Sequence, residues 1–300
     1  MSTFVVSEKI QNQIDELSGI IQDRLVEIEK NFSCQYNQND IVTAMWYSLM
    51  AGGKRIRPVL VLEFCRACGG NVINALSAAC ALEMIHTFSL IHDDLPCMDN
   101  DDMRRGKPSC HKAHGEAMAL LAGDALLNYA YELIAVDENI SCETRIKLIT
   151  DLSKAVGVNG MIGGQVIDTT YSGEFNENTL LDMYSMKTGA LLKTACKMGC
   201  IAAGADECKV INAEKYAEKL GLAFQIIDDI LDITGDEKLL GKPIGSDTEQ
   251  GKVTYASLNG IEKSRNFARK LTDEALNILD EFDNNELLKE LTRYLLERDY

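Results

Sequence analysis

Apolar residues recur at three- and four-residue steps along almost the whole chain, and strand-like alternation bounded by turn dipeptides is hard to find. The pattern predicts helices over roughly 7–31, 40–50, 55–68, 72–95, 111–135, 141–158, 160–171, 177–186, 189–204, 208–234, 261–280 and 284–297. The expected fold class is therefore all-α, read as a single domain over residues 1–300, with neither a linker nor a repeat. The four prolines, Pro58, Pro96, Pro108 and Pro243, lie inside or beside charged clusters. Pro96 lacks an amide donor and crowds the carbonyl one turn back, so the helix carrying Asp93 should bend or bulge there.

Composition narrows the partners. A formal net charge of −16 disfavours nucleic acid and anionic membrane surfaces, because the summed field repels phosphates; a phosphorylated ligand would need its own local cations. The start, MSTFVVSEKIQNQ, lacks a basic stretch followed by an apolar one, and no run approaches the roughly 18 apolar residues of a membrane span, so a cytoplasmic protein is expected. Ten cysteines are scattered through apolar helical patterns and read mostly as small core residues. Cys65 and Cys68 have C-x-x-C spacing without a second zinc-type pair and read as inert thiols.

Against that background HDDLPCMDNDD, residues 92–102, crowds Asp93, Asp94, Asp99, Asp101 and Asp102 directly after the apolar run IHTFSLI. Carboxylates at that spacing repel one another unless a cation is shared. In a straight helix Asp93 and Asp99 would stand about 240° apart, so they could hold one ion only if the path is altered. A second acidic stretch, FQIIDDILDITGD at 224–236, puts Asp228 and Asp232 on one helical face with Gln225 and Gly221, among apolar neighbours. Oxygen-only donors favour Mg²⁺ over zinc, and Mg²⁺ commonly combines one or two carboxylates with water and substrate phosphate.

Basic residues adjoin the acidic motifs. GGKRIRP at 52–58 places two glycines before a helix start, with Lys54 and Arg57 on one face of its first turn. Cations at a helix N-terminus oppose the macrodipole and so suggest an anion between them. Arg104 and Arg105 follow the first acidic stretch, Lys187 lies in MKTG, and Lys242 lies in GKPIG. His86 is seven residues before Asp93, on the same helical face.

Taken in order, Asp93-Asp94 through Asp99 with Arg104-Arg105, GGKRIRP, Lys187-Thr188, Phe224 through Asp232, and Gly-Lys242 resemble the signature of trans-isoprenyl diphosphate synthases. The likeness spans residues 44–260, and its spacing is most similar to the bacterial farnesyl diphosphate synthase branch. It implies an isoprenoid synthase fold of about ten core helices around a deep central cavity, usually as a homodimer. It also implies Mg²⁺-dependent, head-to-tail condensation of isopentenyl diphosphate with dimethylallyl and geranyl diphosphate, giving farnesyl diphosphate by ionisation, condensation and elimination. Three Mg²⁺ ions are expected per active site with diphosphate bound. By the resemblance, Asp93 and Asp99 ligate two of them with Asp94 in support, and Asp228 holds the third with Asp229 and Asp232 through water or indirect contacts. Arg104, Lys187 and Lys242, with Lys252 nearby, would clamp the allylic diphosphate, with Gln165 and Asp168 lining that side. Lys54, Arg57, His86, Arg105 and Arg298 would hold isopentenyl diphosphate. The Thr188 hydroxyl and Gln225 carbonyl would offer weak dipoles to a carbocation, and the released diphosphate would take the final proton.

Ser89 lies one turn below Asp93 and Phe88 about 7.5 Å below it. An aromatic at the fifth position before the first Asp limits the chain to farnesyl in related enzymes, so Phe88 with small Ser89 favours that product, with geranylgeranyl or geranyl as alternatives. Two rivals are weaker: a terpene cyclase needs no second diphosphate site, and a silent regulatory subunit should have lost metal carboxylates that this chain keeps.

Overall fold

A computed structural model describes residues 8–32, 38–171, 175–234 and 253–296; Lys242, Lys252 and Arg298 lie outside the described residues. Its α-helices are α1 (Glu8–Asn31), α2 (Asn39–Leu49), α3 (Ile56–Ala67), α4 (Ile73–Asp93), α5 (Cys110–His114), α6 (Glu116–Ala135), α7 (Cys142–Val156), α8 (Met161–Thr170), α9 (Glu177–Tyr184), α10 (Ala190–Ala202), α11 (Glu207–Thr234), α12 (Tyr255–Asn259), α13 (Ile261–Ile278) and α14 (Glu286–Leu296). The all-α expectation holds, with boundaries mostly within two residues of the periodicity.

Differences have local causes. The helix expected over 111–135 is two, parted at Gly115, whose φ of 86° no ordinary helical residue adopts. Residues 103–108 form a small hairpin, Met103 opposite Pro108 and Arg104 opposite Lys107. Its turn residues Arg105 and Gly106 have φ of 52° and 75°, the left-handed pair that a two-residue hairpin favours. A single π turn, Ser185–Gly189, joins α9 to α10. Helix α12 was not expected; a reciprocal Thr254–Ser257 capping box starts it.

The helices follow their burial. α3 and α4 are apolar almost all round and sit inside, while α14 buries one stripe, Leu287, Leu288, Leu291, Thr292, Leu295 and Leu296. α4 is long and apolar enough to cross a bilayer by composition, yet 72% of that window is buried by its neighbours, as in a core helix. It packs on α3 and α6, and α10 packs on α3 and α11. Cys65 is buried, its thiol pushed up to about 11 by desolvation, and Cys68 Sγ lies 3.5 Å from Cys200 Sγ in the α3–α10 contact.

Candidate active site

The first acidic stretch does not bend at Pro96; the helix ends before it. α4 stops at Asp93, the chain turns, and the Asp99 amide donates to the Asp93 carbonyl at 2.9 Å. This turn cancels the separation a straight helix would impose and sets Asp93 and Asp99 side by side. The other three carboxylates already have cations. Asp94, 2% exposed, accepts from Arg104 Nε at 3.0 and 3.2 Å and from its Nη2; Asp101 also pairs with Arg104, and Asp102 with Lys112 at 2.8 Å. Among the described residues, Asp93 and Asp99 have no ion-pair partner. Burial pushes the Asp93 carboxyl up to about 6; Lys187 opposes the rise and Asp99 adds to it.

A chain of polar contacts runs from this pair to the second acidic stretch. On α8, Gln165 and Asp168 are three apart and share a face. Gln165 Nε2 donates to Asp93 Oδ1 at 3.0 Å, and Asp168 accepts from Lys187 Nζ in the π turn. Next to Lys187, Thr188 Oγ1 donates to Gln225 Oε1 of α11 at 3.0 Å. A side chain at Gly164 would put Cβ 2.3 Å from the Lys187 amide nitrogen, so only glycine lets α8 lie this close to the π turn. π turns concentrate at functional sites, and this one presents Lys187 and Thr188 between three helices.

Asp228, Asp229 and Asp232 differ in exposure. Asp228 is half-buried, whereas Asp229 and Asp232 are each 2% exposed. Asp229 accepts from Tyr184 Oη at 2.7 Å and from the Tyr255 amide at 2.9 Å, so it ties α9 and α12 to α11. Thr188 and Gln225 bond each other, so the Gln225 carbonyl is already engaged by a donor. Arg104, expected on a diphosphate, here holds Asp94 and Asp101.

A second basic group lies at the other end of the exposed stripe of α4. Arg57, the second residue of α3, has its Nη1 3.4 Å from His86 Nε2, and its buried Nε has no hydrogen-bond partner among the described residues. Arginine only donates, so His86 Nε2 is the acceptor and the ring proton sits on Nδ1. Burial, then Arg57 and Arg105, hold this imidazole well below its usual range, so it is neutral. Arg105 projects from the hairpin turn and donates to the Gly52 carbonyl. Lys54 Nζ stands 5.2 Å from the centre of the Tyr294 ring. An unpartnered buried guanidinium donor beside two further cations suits an anion.

Two acidic groups bridged by polar side chains, with a separate cluster of basic residues in an all-α bundle, suit a diphosphate bound with divalent cations. The polyprenyl synthetase family model matches residues 38–295, and the chain belongs to that family. It is 46% identical over 261 residues to a chloroplastic geranylgeranyl pyrophosphate synthase of Catharanthus roseus, covering 85% of this chain and 73% of that one. A geranylgeranyl diphosphate synthase of Cyanophora paradoxa is 49% identical over 83% of this chain and 84% of its own. Among solved structures, an FPP/GFPP synthase from Zymomonas mobilis matches with a TM-score of 0.84 at 36% identity, covering 96% of this chain and 99% of that one. The isoprenoid synthase fold is therefore the one expected.

The farnesyl end product is overturned: relatives at 46–49% identity carry geranylgeranyl names. The geometry agrees with the correction. Phe88 is roughly 140° around α4 from Asp93 and about 40° from His92. Its ring, 5% exposed, meets His92 edge-on at 5.6 Å, and His92 in turn faces α6. The half-exposed residues in the last turns of α4 are His86, Ser89, Leu90, His92 and Asp93, of which all but His92 share one face. Sequence reasoning missed Arg55, Glu83, Tyr184 and Tyr255; a cation inside KRIR and a carboxylate inside an apolar helix were the signals for the first two.

Proposed function

We propose that the protein condenses isopentenyl diphosphate head-to-tail with allylic diphosphates and carries the chain to geranylgeranyl diphosphate. The observation that supports this most is the pairing of Asp93 with Asp99, left without cations while neighbouring carboxylates are neutralised, in a chain whose relatives bear geranylgeranyl names. Mg²⁺ fits these residues. Among the described residues no three His, Cys, Asp or Glu side chains converge on one point, and Mg²⁺ needs only one or two carboxylates when phosphate oxygens complete its shell. Asp93 and Asp99 would hold Mg²⁺ ions, and Asp228 would hold a separate one. When bound, the metal supplies Lewis-acid stabilisation of the departing diphosphate.

The chain's own residues do the rest. Lys187, oriented by Asp168, offers a cation to the allylic diphosphate, and Gln165 fixes the rotamer of Asp93. The Thr188–Gln225 pair presents oxygen dipoles to the allylic cation from within a largely apolar wall. Arg57, Arg105, Lys54 and neutral His86 hold isopentenyl diphosphate, whose double bond attacks, and the released diphosphate removes the proton. A homodimer is part of the proposal on the strength of the sequence resemblance; one relative is named the large subunit of a heterodimeric synthase. Several relatives are named chloroplastic, so the cytoplasmic reading rests on the sequence alone.

The test is incubation with isopentenyl and dimethylallyl diphosphates and Mg²⁺, with an EDTA control and mass identification of products. A metal-dependent geranylgeranyl product is expected; no condensation would send the reading back to a cyclase or a silent subunit. Ser89 lies one turn before Asp93 and is half-exposed, which supports a path for the growing chain along this face of α4. Ser89→Phe is expected to shift the product toward shorter chains, and an unaltered product profile would remove Ser89 from the chain's path.

A further inference from the structure

A buried carboxylate stands beneath the proposed isopentenyl diphosphate pocket. Glu83 of α4 is 2% exposed, one turn before His86. Its Oε1 accepts from Arg55 Nη1 and lies 4.0 Å from Arg105 Nη2. The Arg55 guanidinium is spent inside the protein: it also donates to the Leu49 carbonyl at 2.6 Å and reaches Gln22 Oε1 at 3.4 Å, and Arg55 is 6% exposed with a left-handed φ of 50°. Despite its place in KRIR, Arg55 is therefore not available to a substrate.

Arg105 is different. Its guanidinium meets the Gly52 carbonyl and Glu83, a methyl group at Gly53 would lie 2.7 Å from its guanidinium carbon, so its position is closely defined, and its charge is felt by Arg57 and His86. Arg105 acts on Arg57, and Arg55 acts on Arg105, as like charges; guanidinium groups gathered in this way repel one another. Burial and mutual repulsion pull Arg57 and Arg105 below the usual guanidinium range, and Glu83 is the group opposing this at both.

We infer that Glu83 is a positioning residue for the isopentenyl site: anchored by Arg55, its carboxylate holds Arg105 at the pocket while no diphosphate is present. It touches no reacting atom. At 4.0 Å, Glu83 attracts Arg105 without holding it in a tight hydrogen bond, so this contact does not stop Arg105 from turning toward a diphosphate. The pocket is thereby kept positively charged yet ordered before substrate arrives, which lowers the cost of ordering it on binding.

This rests on the proposed condensation, so the wild-type enzyme must first show saturable turnover with isopentenyl and farnesyl diphosphates; absence of turnover would sink that reading and leaves the pocket to be tested by calorimetry with isopentenyl diphosphate alone. Glu83→Gln is expected to raise the KM for isopentenyl diphosphate at least about tenfold, the scale on which supporting partners of a ligating group matter, with the allylic KM changed less than about twofold. In an Arg105→Ala background the same substitution should change the isopentenyl KM by less than about twofold, because the residue through which it acts is gone. Should Glu83→Gln not fold, the cycle is run with Glu83→Asp, whose shorter side chain withdraws the charge from Arg105, and the same coupling is expected. Equal rises in both KM values, or additive effects in the cycle, would assign Glu83 to fold maintenance alone and overturn the inference. For the metal-free protein, an isopentenyl diphosphate affinity unchanged by Glu83→Gln would do the same.

Discussion

Replacing Asp93 with asparagine is expected to lower condensation turnover by about a thousandfold, the loss seen when one preorganised charge-stabilising group is removed from an active site. Asparagine keeps the shape, and its carbonyl can still accept from Gln165 Nε2. What disappears is the anion that a divalent cation needs beside Asp99. The substitution should also stabilise the metal-free protein, with a sign fixed by burial. The carboxyl is raised from an ordinary 3.8 to about 6, so the fold favours its protonated form. That stabilisation is fully present below pH 3.8 and is lost as pH rises through about 6, where the charged form must be accommodated. The variant should therefore melt above the wild type at neutral pH in EDTA and show no such gain near pH 4. The apparent Mg²⁺ affinity of the wild type should weaken as pH drops through about 6, because a protonated Asp93 no longer attracts the cation. A variant with turnover within tenfold of wild type, or one without the pH-dependent gain, would refute this role for Asp93.

Gly164→Ala tests how the helices hold the site. The new Cβ would lie 2.3 Å from the Lys187 nitrogen and 2.7 Å from its Cα, both backbone atoms that cannot swing aside like a side-chain tip. Either α8 or the π turn must move, and the move separates Gln165 from Asp93 or Lys187 from Asp168. The expected loss of turnover is about a hundredfold, as for misplacement of catalytic groups by about 1 Å. Stability should fall by about 1–3 kcal/mol, as for overpacking elsewhere. Steady-state kinetics and chemical denaturation measure the two effects. Turnover within twofold of wild type would mean that the π turn and α8 are not held in register by this contact.

Hydrophobic periodicity located most helices because each long helix buries a stripe or a whole surface, and burial writes itself into the apolar spacing. What periodicity could not show was local backbone conformation. The split at Gly115, the π turn at 185–189 and the hairpin at 103–108 each depend on one or two dihedral angles or one extra residue in a turn. The Arg-Gly pair at 105–106 was a turn signal, weaker than Asn-Gly because arginine seldom adopts positive φ.

The acidic motifs were legible because clustered carboxylates in apolar surroundings demand a cation wherever they fold. The division of labour within them was not. That Asp94 belongs to Arg104 and Asp229 to Tyr184 and the Tyr255 amide depends on contacts between distant segments. Glu83 was hidden for the same reason: within ALEMIH it reads as one polar residue in a buried helix, and its meaning lies in Arg55 and Arg105, 28 and 22 positions away. Product length went astray because position alone was used for Phe88. A residue five before Asp93 is at the right depth, but its angle around α4 turns it toward His92 and α6.

The central claim is condensation as far as geranylgeranyl diphosphate, and its most direct test supplies farnesyl diphosphate as the only allylic starter, with isotopically labelled isopentenyl diphosphate and Mg²⁺. The account predicts a single label incorporated into geranylgeranyl diphosphate, at a rate comparable to that from geranyl diphosphate and abolished by EDTA. Turnover of geranyl diphosphate with farnesyl diphosphate accumulating unextended would contradict it.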